Sequence, residues 1–523
     1  MTLSKADNFQ RLTGTEHIRA DLRTKSVRAA AFTWTAGIAD FALRIGSTAI
    51  LARLVLPEHF GLVMMVMAVT SIADQFRDLG LSTVTVQRHV ITHEEISNLF
   101  WINVSAGVAI AAIVCAASPL IAAYYREPRL ILPTCVLAAN FVWGGLLVQH
   151  QALLTRQLKL GYTSTVRLLS SVLSTALAIG MAWKGFGYWA LVWREFARCA
   201  LLTAGMWAAF PWMPGFPSWN TNVRGLVRFG TDLSVANIVG SVSGGADRFL
   251  LGRFWGAEPM AMYRQAYQLL VMPIEQLLGP VYQVTQPGLS LLQTEAARFR
   301  AFYSKVLSVA CLATMPLSVF VAVYSTEITR VVLGRRWAAS APLLLILSVS
   351  TFFKQPIGST AFVLIARGKS RTYLSLSLLQ NIGAVVFMCI GVRWGPAGVA
   401  LADVAATYLL AVPRLYFTFK DSPISVTWFL TMVARPVSAS VVMGFVLMFV
   451  RTHLPALGAP IFILVGGAVG GVVFLCTWLL LPGGGHELAS LVGDVRSALR
   501  RKIAPSTVVA PRPIVNPAAP SLP

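Results

Sequence analysis

The sequence Asp-Arg-Phe-Leu-Leu-Gly-Arg-Phe-Trp-Gly-Ala-Glu, residues 247–258, closes one apolar run and leads directly into the next. A fainter copy stands 200 positions earlier, at residues 50–58. The identical pairs are Leu51 and Leu251, Arg53 and Arg253, and Glu58 and Glu258. Both copies lie where the first apolar run of a set gives way to the second. We therefore interpret the chain as two related halves.

The composition is typical of a polytopic membrane protein. Hydrophobic residues make up 56% of the 523 residues and charged residues 12%, and the mean hydropathy is +0.67. A single soluble core cannot bury that much apolar surface. The formal net charge of +22 comes from Lys and Arg scattered singly between apolar runs. This pattern favours contact with anionic lipid headgroups and argues against nucleic acid as a partner.

Apolar runs of membrane-spanning length form two sets of six and a final pair, since a transmembrane helix needs roughly 20 apolar residues. The first set lies near 29–52, 60–85, 98–120, 132–154, 164–183 and 188–210. The second lies near 226–251, 260–285, 304–324, 340–365, 373–393 and 397–417, and the pair near 427–450 and 459–481. The predicted fold is an all-α integral membrane protein with about 14 transmembrane helices. Its two six-helix lobes are parallel, because each contains an even number of helices.

The remaining segments connect and flank these runs. The predicted parts are a basic arm at 1–28, lobes at 29–210 and 226–417, a Pro-rich linker at 211–225, an additional helix pair at 427–481, and a tail at 482–523 that is disordered at its end. Basic residues in short loops concentrate on the side of the N-terminus, although Arg126, Arg129, Arg335 and Arg336 fall on the other side. Both termini and the linker are therefore predicted to be cytoplasmic.

Ionisable residues inside the apolar runs are the candidate functional residues, because a charge in hydrocarbon is costly unless it faces a cavity or a partner. They concentrate in the first two runs of each half. The candidates for binding an anionic headgroup are Arg44, Arg77, Arg248 and Arg264. The candidate carboxylates for ion coupling or charge pairing are Asp40, Asp74, Asp78, Asp247 and Glu275. A structural alternative stays open, since Asp40 with Arg44 and Asp74 with Arg77 have the spacing of neutralising pairs on one helix face.

No catalytic residue, metal site or cofactor is predicted. His89, His93 and Glu94 faintly resemble a metal motif, but their order is not His-Glu-x-x-His and no third ligand is evident. The six cysteines all lie in apolar runs without a Cys-x-x-Cys spacing. A proton or sodium gradient is the candidate driving force, because a carboxylate in a low dielectric titrates near neutral pH.

Two blocks of sequence carry a family pattern. The second-half block consists of residues 247–254, Tyr263, Gln-Ala-Tyr-Gln-Leu-Leu at 265–270, Leu-Leu-Gly-Pro at 277–280 and Leu-Leu-Gln at 291–293. The first-half block consists of Ala-Arg-Leu at 52–54, Pro57, Phe60 and Gly61, Phe-Arg-Asp-Leu-Gly at 76–80 and Val-Gln-Arg at 86–88. The chain resembles the Wzx-like polysaccharide-transporter flippases of lipopolysaccharide and exopolysaccharide synthesis, in the multidrug/oligosaccharidyl-lipid/polysaccharide exporter superfamily. His59 departs from the family pattern, which often has an acidic residue there, so no role is carried over to it.

The resemblance implies two lobes in a V shape around a cavity, with the extra helix pair added at the C-terminal end. It implies a transporter, not an enzyme, that moves a polyprenyl-pyrophosphate-linked oligosaccharide across the bacterial cytoplasmic (inner) membrane by alternating access. The implied partners are this lipid-linked glycan and membrane lipids, with a glycan polymerase and export machinery as further candidates. Two alternatives stay open: a polyprenol-linked membrane glycosyltransferase, polymerase or ligase, and a cation-coupled drug exporter of the same fold.

Overall fold

The computed structural model of the chain is helical throughout its described part. It describes residues 22–78, 82, 85–86, 91–217, 244–453, 458–482, 484–485 and 493, and the side chains of 22–34 and 77–78 lie outside that description. No strand occurs in these ranges. The predicted all-α class is therefore confirmed.

Six helices correspond to the first set of apolar runs. They are α1 (Leu22–Leu54), α2 (Pro57–Ala73), α3 (His93–Tyr125), α4 (Ile131–Arg156), α5 (Leu160–Trp183) and α6 (Tyr188–Ala209). Pro57 stands in the first turn of α2, where its missing N–H costs no hydrogen bond. Thr92 and Glu95 form a capping box that begins α3. Helix α2 ends well before residue 85, and a short helix, Gln75–Asp78, follows it.

The second half repeats the series and adds two helices. They are α7 (Ala246–Trp255), α8 (Ala257–Leu291), α9 (Ala296–Val323), α10 (Ser340–Gly358), α11 (Ser370–Gly391), α12 (Gly395–Phe419), α13 (Val426–His453) and α14 (Ala459–Leu480). A short helix, Thr360–Ala366, continues α10 beyond Gly358. The predicted run at 226–251 lies outside the described residues up to position 243. By length and composition, nine of the described helical stretches can cross a membrane.

The two lobes repeat one packing scheme. In the first lobe α3 packs on α4, α4 on α6, and α5 on α6. In the second lobe α9 packs on α10, α10 on α12, and α11 on α12, which is the same set of partners in the same chain order. The pair α13 and α14 packs chiefly against α9. This repetition is what a duplication with parallel halves predicts.

The lobes touch along α2 and α8. A Cβ atom built on Gly61 of α2 would overlap the carbonyl oxygen of Ala257 at the start of α8, so only glycine allows this close approach of backbones. We call the end of the bundle where α1 leads to α2 and α7 leads to α8 the hairpin face. At this face Trp337 Nε1 donates to the Ala52 carbonyl oxygen at 3.0 Å, and the Tyr124 hydroxyl donates to the Phe249 carbonyl oxygen at 3.4 Å. The two lobes are thus joined at the hairpin face by both backbone and side-chain contacts.

Candidate functional site

Three adjoining cavities are lined by the first lobe, and two of them are also lined by α8; we call the three together the first-lobe cleft. Their volumes are about 270, 330 and 240 Å³. The first two share Arg44 and Met272, and the first and third share Met67, Glu195 and Arg198. Helix α8 lines the opposite wall with Gln265, Gln268, Met272, Glu275 and Gln276. Both lobes therefore contribute to the cleft.

The predicted pair on α1 forms and also lines the cleft. Arg44 Nε lies 2.9 Å from Asp40 Oδ2, one helical turn away. The Asp40 side chain is 15% exposed and the Arg44 side chain 51%, so the carboxylate is the more buried partner. Arg44 borders two of the three cavities. The pair thus combines the two roles that the sequence left open, charge neutralisation and cavity lining.

Helix α6 contributes three charges that the sequence analysis did not select. Arg198 donates from Nε and Nη2 to Glu195 Oε2 at 3.1 and 2.9 Å. Arg194 Nη2 reaches only Ser47 Oγ, at 3.4 Å, and its buried Nε has no hydrogen-bond partner. Among the described residues, no carboxylate lies within 4.0 Å of Arg194. Arg194 therefore brings positive charge into the cleft that no ion pair neutralises.

Arg167 of α5 has a similar position. It lines the 330 Å³ cavity together with Asp40, Arg44 and Glu275, and it forms no ion pair within the described ranges. Its side chain is exposed to the cleft, unlike the buried Nε of Arg194. The cleft therefore holds a second arginine that is available to a ligand.

The other predicted first-half residues are placed as follows. Asp74 caps the C-terminal end of α2 and lines the 240 Å³ part of the cleft beside Glu195 and Arg198. The backbone of Arg77 and Asp78 belongs to the short helix Gln75–Asp78, and their side chains lie outside the described part. Roles for Arg77 and Asp78 stay predictions.

A second polar cavity of about 240 Å³ lies inside the second lobe, between α7, α8, α10, α11 and α12. Lys354 Nζ of α10 lies 3.1 and 3.2 Å from the two carboxylate oxygens of Asp403 on α12. The Ser350 hydroxyl donates to Asp403 Oδ2 at 2.6 Å. The Asp403 side chain is only 9% exposed. This buried carboxylate is therefore neutralised and hydrogen-bonded on both oxygens.

The predicted residues Asp247, Arg248 and Arg264 come together beside this pair. Arg264 Nη1 lies 3.8 Å from Asp247 Oδ2, and Arg248 Nε lies 4.0 Å from Asp247 Oδ1. Asp247 Oδ1 is buried and lacks a hydrogen-bond partner. The Arg264 guanidinium stacks over the Tyr267 ring at 4.9 Å, a cation–π contact. Asp247 and Arg264 line the second-lobe cavity and Arg248 lies beside Asp247, so the predicted headgroup residues are found in two separate places.

The residues that the sequence analysis missed carry the same signal as those it selected. Arg194, Glu195, Arg198, Lys354 and Asp403 are all ionisable residues inside predicted apolar runs. The candidates selected from the sequence lie in the first two runs of each half, whereas these residues lie in the sixth, tenth and twelfth runs. Applying the cost of intramembrane charge to every run finds them.

The weak histidine motif has a different environment from that of a metal site. His89 lies outside the described residues, and Trp212 Nε1 donates to His93 Nδ1 at 3.1 Å. In the described part of the chain, no three His, Cys, Asp or Glu side chains are close enough to hold a metal ion. His93 instead helps to hold residues 211–217 against the first lobe.

Two repeated helical lobes with a charged cleft between them define a multi-pass membrane transporter. The fold is similar to that of the lipid II flippase MurJ in an inward closed conformation, with a TM-score of 0.69. The two chains are 14% identical, and the match covers 87% of this chain and 98% of MurJ. At this identity the likeness establishes the fold alone.

The sequence profile of a family described as "Polysaccharide biosynthesis protein" matches residues 50–342, more than half of the chain and parts of both lobes. The chain belongs to this family. It is 25% identical to the teichuronic acid biosynthesis protein TuaB of Bacillus subtilis over 56% of this chain and 61% of TuaB, which is less than two thirds of that relative's length. It is 22% identical to the succinoglycan biosynthesis transport protein ExoT of Rhizobium meliloti over 89% of this chain and 94% of ExoT. The predicted family and the class of transporter, not enzyme, are confirmed.

Proposed function

We propose that the protein flips an oligosaccharide linked to a polyprenyl diphosphate between the leaflets of the bacterial cytoplasmic membrane, for the assembly of a surface polysaccharide. The observation that carries this proposal is Arg194, a cation that lines the cleft and has no carboxylate partner among the residues that the structure describes. An uncompensated buried charge is costly, so its presence favours an anionic ligand that compensates it. The family membership supports a glycan as the attached cargo.

The chemistry of the cleft suits a diphosphate. A headgroup that crosses hydrocarbon must exchange its water shell for protein donors, and charge-assisted bonds from arginine forks are the strongest ones available. Arg194 and Arg167 are free of ion pairs in the described part, and Arg44 borders the same space. Gln265 and Gln268 on the opposite wall offer amide groups to sugar hydroxyls. The lipid tail remains in the bilayer throughout this movement.

The contacts between the lobes suggest one end point of alternating access. The lobes are joined at the hairpin face through Gly61, Ala257 and Trp337, so the cleft is closed on that side. The bias of basic loop residues supports an orientation with the hairpin face outside the cytoplasm and both termini inside it. We propose this orientation together with transient contacts to a glycan polymerase and export machinery.

We further propose that Asp247 links transport to a proton gradient. The carboxylates differ in how fully they are paired: Asp403 has close donors on both oxygens, whereas the ion pairs of Asp247 are long and its Oδ1 lacks a hydrogen bond. A proton on Asp247 Oδ1 would displace no hydrogen bond, whereas both oxygens of Asp403 are already occupied by donors. Protonation of Asp247 would release Arg248 and Arg264 for other partners.

The flipping proposal is tested with purified protein in proteoliposomes and a fluorescent polyprenyl-diphosphate disaccharide. We expect the wild-type protein to make the probe in the inner leaflet accessible to a membrane-impermeant quencher, compared with protein-free vesicles. Arg194→Gln should lose most of this activity. The matched control is Arg298→Gln, which removes an arginine whose side chain is 73% exposed outside the cleft. Wild-type protein with no activity above empty vesicles would overturn the proposal.

Proton linkage needs a separate measurement in the same vesicles. Initial rates are recorded with an imposed pH gradient, with an imposed sodium gradient, and with neither. We expect the pH gradient alone to accelerate the wild-type protein and to have no effect on Asp247→Asn. A rate that follows the sodium gradient, or a pH response that survives in Asp247→Asn, would contradict this assignment.

A further inference from the structure

The connection between α9 and α10 is firmly attached to the hairpin face. Trp337 is fully buried, donates to the Ala52 carbonyl oxygen at 3.0 Å and packs edge to face on Phe60, with ring centroids 5.3 Å apart. Leu333 is fully buried as well. Gly334 has φ +96°, a left-handed conformation that favours glycine. This part of the connection is therefore fixed on the end of α1.

Four exposed arginines surround this fixed connection, and we call them the arginine platform. They are Arg53 at the end of α1, and Arg330, Arg335 and Arg336 in the connection. Arg53 Nη2 donates to the Val331 carbonyl oxygen at 2.7 Å, which holds Arg53 beside the other three. No ion pair involving these arginines occurs among the described residues. The guanidinium groups of the platform are therefore held on a fixed connection without ion pairs to the described residues.

Nearby acidic residues do not neutralise the platform. Glu58 and Glu127 both pair with Arg129, at 2.5 and 2.7 Å. The bond from Arg129 holds the pKa of the Glu127 carboxyl below its usual range, so Glu127 stays charged and engaged. Glu327, inside the connection itself, pairs with Arg451 at 3.0 Å. The positive charge of the platform is left for a ligand.

We propose that the arginine platform binds the diphosphate of the polyprenyl-linked glycan after it has crossed to the extracytoplasmic leaflet. This inference rests on the proposed function and its orientation. Clustered arginine forks match a group with several anionic oxygens better than they match a singly charged phosphodiester. The pair Arg335 and Arg336 is also an exception to the basic-loop bias of the chain. Binding of an anionic ligand would explain two arginines on the extracytoplasmic face.

The position of the platform connects this binding to the transport cycle. Arg53 belongs to the first lobe and the other three arginines to the second, so the platform is complete only while the lobes touch at the hairpin face. A ligand that binds one conformation better shifts the population toward it. The bound diphosphate therefore favours closure of the hairpin face behind the delivered headgroup, which returns the cleft to the opposite side.

The test uses full-length protein in nanodiscs of neutral lipid, in the Arg194→Gln background so that the cleft contributes little. Binding of a polyprenyl diphosphate is titrated with Arg335 and Arg336 intact, with Arg335→Gln/Arg336→Gln, and with Arg335→Lys/Arg336→Lys. We expect the Gln pair to weaken binding at least about tenfold, which is the effect of losing about 1.4 kcal/mol. The Lys pair should recover part of the affinity, because it keeps the charge without the fork. The control Arg298→Gln/Arg371→Gln removes the same charge on the opposite face, and it should bind like its parent.

Two outcomes overturn the proposal. One is equal binding by the Gln pair and its parent, or an equal loss in the control pair, which would indicate general electrostatics. The other is phosphatidylglycerol competing as well as the diphosphate, which would make the platform a contact for bulk lipid. The proposed function itself is tested by a different measurement: absence of flipping by the wild-type protein in proteoliposomes would contradict it.

Discussion

The first-lobe cleft and the second-lobe cavity both hold charges from several helices, but they differ in how those charges are balanced. In the second-lobe cavity Lys354 meets both oxygens of Asp403, and Ser350 adds a hydrogen bond. In the cleft Arg194 has no carboxylate partner, although Glu195 and Arg198 beside it are paired with each other. Ion pairs between helices stabilise a lobe, whereas a buried cation without an ion pair favours the binding of an anionic ligand. We therefore expect the pair Lys354 and Asp403 to stabilise the second lobe, whereas we propose that Arg194 binds the substrate.

The largest expected effect is that of Lys354→Met, which leaves Asp403 buried and unpaired. Breaking a buried pair by removing one partner costs about 3–5 kcal/mol of unfolding free energy. Thermal unfolding in detergent, followed by tryptophan fluorescence, measures the loss. The double variant Lys354→Met/Asp403→Leu should regain most of it. A single variant as stable as wild type would show that the second-lobe pair is not structural.

The contact of Gly61 in α2 with the start of α8 should show the next largest loss of stability on mutation. Gly61→Ala places a methyl group on the Ala257 backbone and forces α2 away from α8. Overpacking of this kind costs about 1–3 kcal/mol. The control is Gly46→Ala in α1, where a Cβ has nothing within 4 Å. Equal unfolding temperatures for the two variants would mean that the lobes are not closely packed at Gly61.

The smallest expected effect is a difference in stability between variants at two neighbouring arginines of α6. Arg198→Gln leaves Glu195 without its partner and should cost about 1 kcal/mol. Arg194→Gln should not destabilise the protein, because it removes a buried cation that has no ion pair in the described part of the chain. Unfolding curves in the absence of substrate compare the two variants directly. If Arg194→Gln were the more destabilising of the two, Arg194 would have a structural role.

Hydropathy alone located the helices, since spanning runs are long and few other segments resemble them. The ends of the helices were harder to predict: α1 includes residues from Leu22 onward, which lie inside the predicted basic arm 1–28. The pair Asp40 and Arg44 was predictable as a pair, because its spacing within one helix brings the two side chains together. Lys354 and Asp403 lie 49 residues apart on different helices.

What makes Arg194 distinctive is that no described carboxylate pairs with it, which depends on every helix packed around it. The sequence showed an ionisable residue in an apolar run, as it did at Arg198 four positions later. The i,i+3 spacing on α6 pairs Glu195 with Arg198, whereas the tertiary arrangement places Arg194 at the cleft. Separating paired from spare charges therefore requires the fold, even where the sequence indicates each charge.

The most direct test of the account is the affinity of the purified protein for a polyprenyl diphosphate, measured in nanodiscs of neutral lipid. The parent protein carries Arg335→Gln/Arg336→Gln, so that the platform contributes little to binding. Relative to this parent, we predict that adding Arg194→Gln weakens binding about 10–100-fold, the effect of losing a charged hydrogen-bonding group worth about 1.5–3 kcal/mol. Adding Arg194→Lys should cause a smaller loss, and adding Arg298→Gln none. Unchanged affinity after Arg194→Gln, with the protein still folded, would contradict the claim that the spare charge of the cleft receives the substrate.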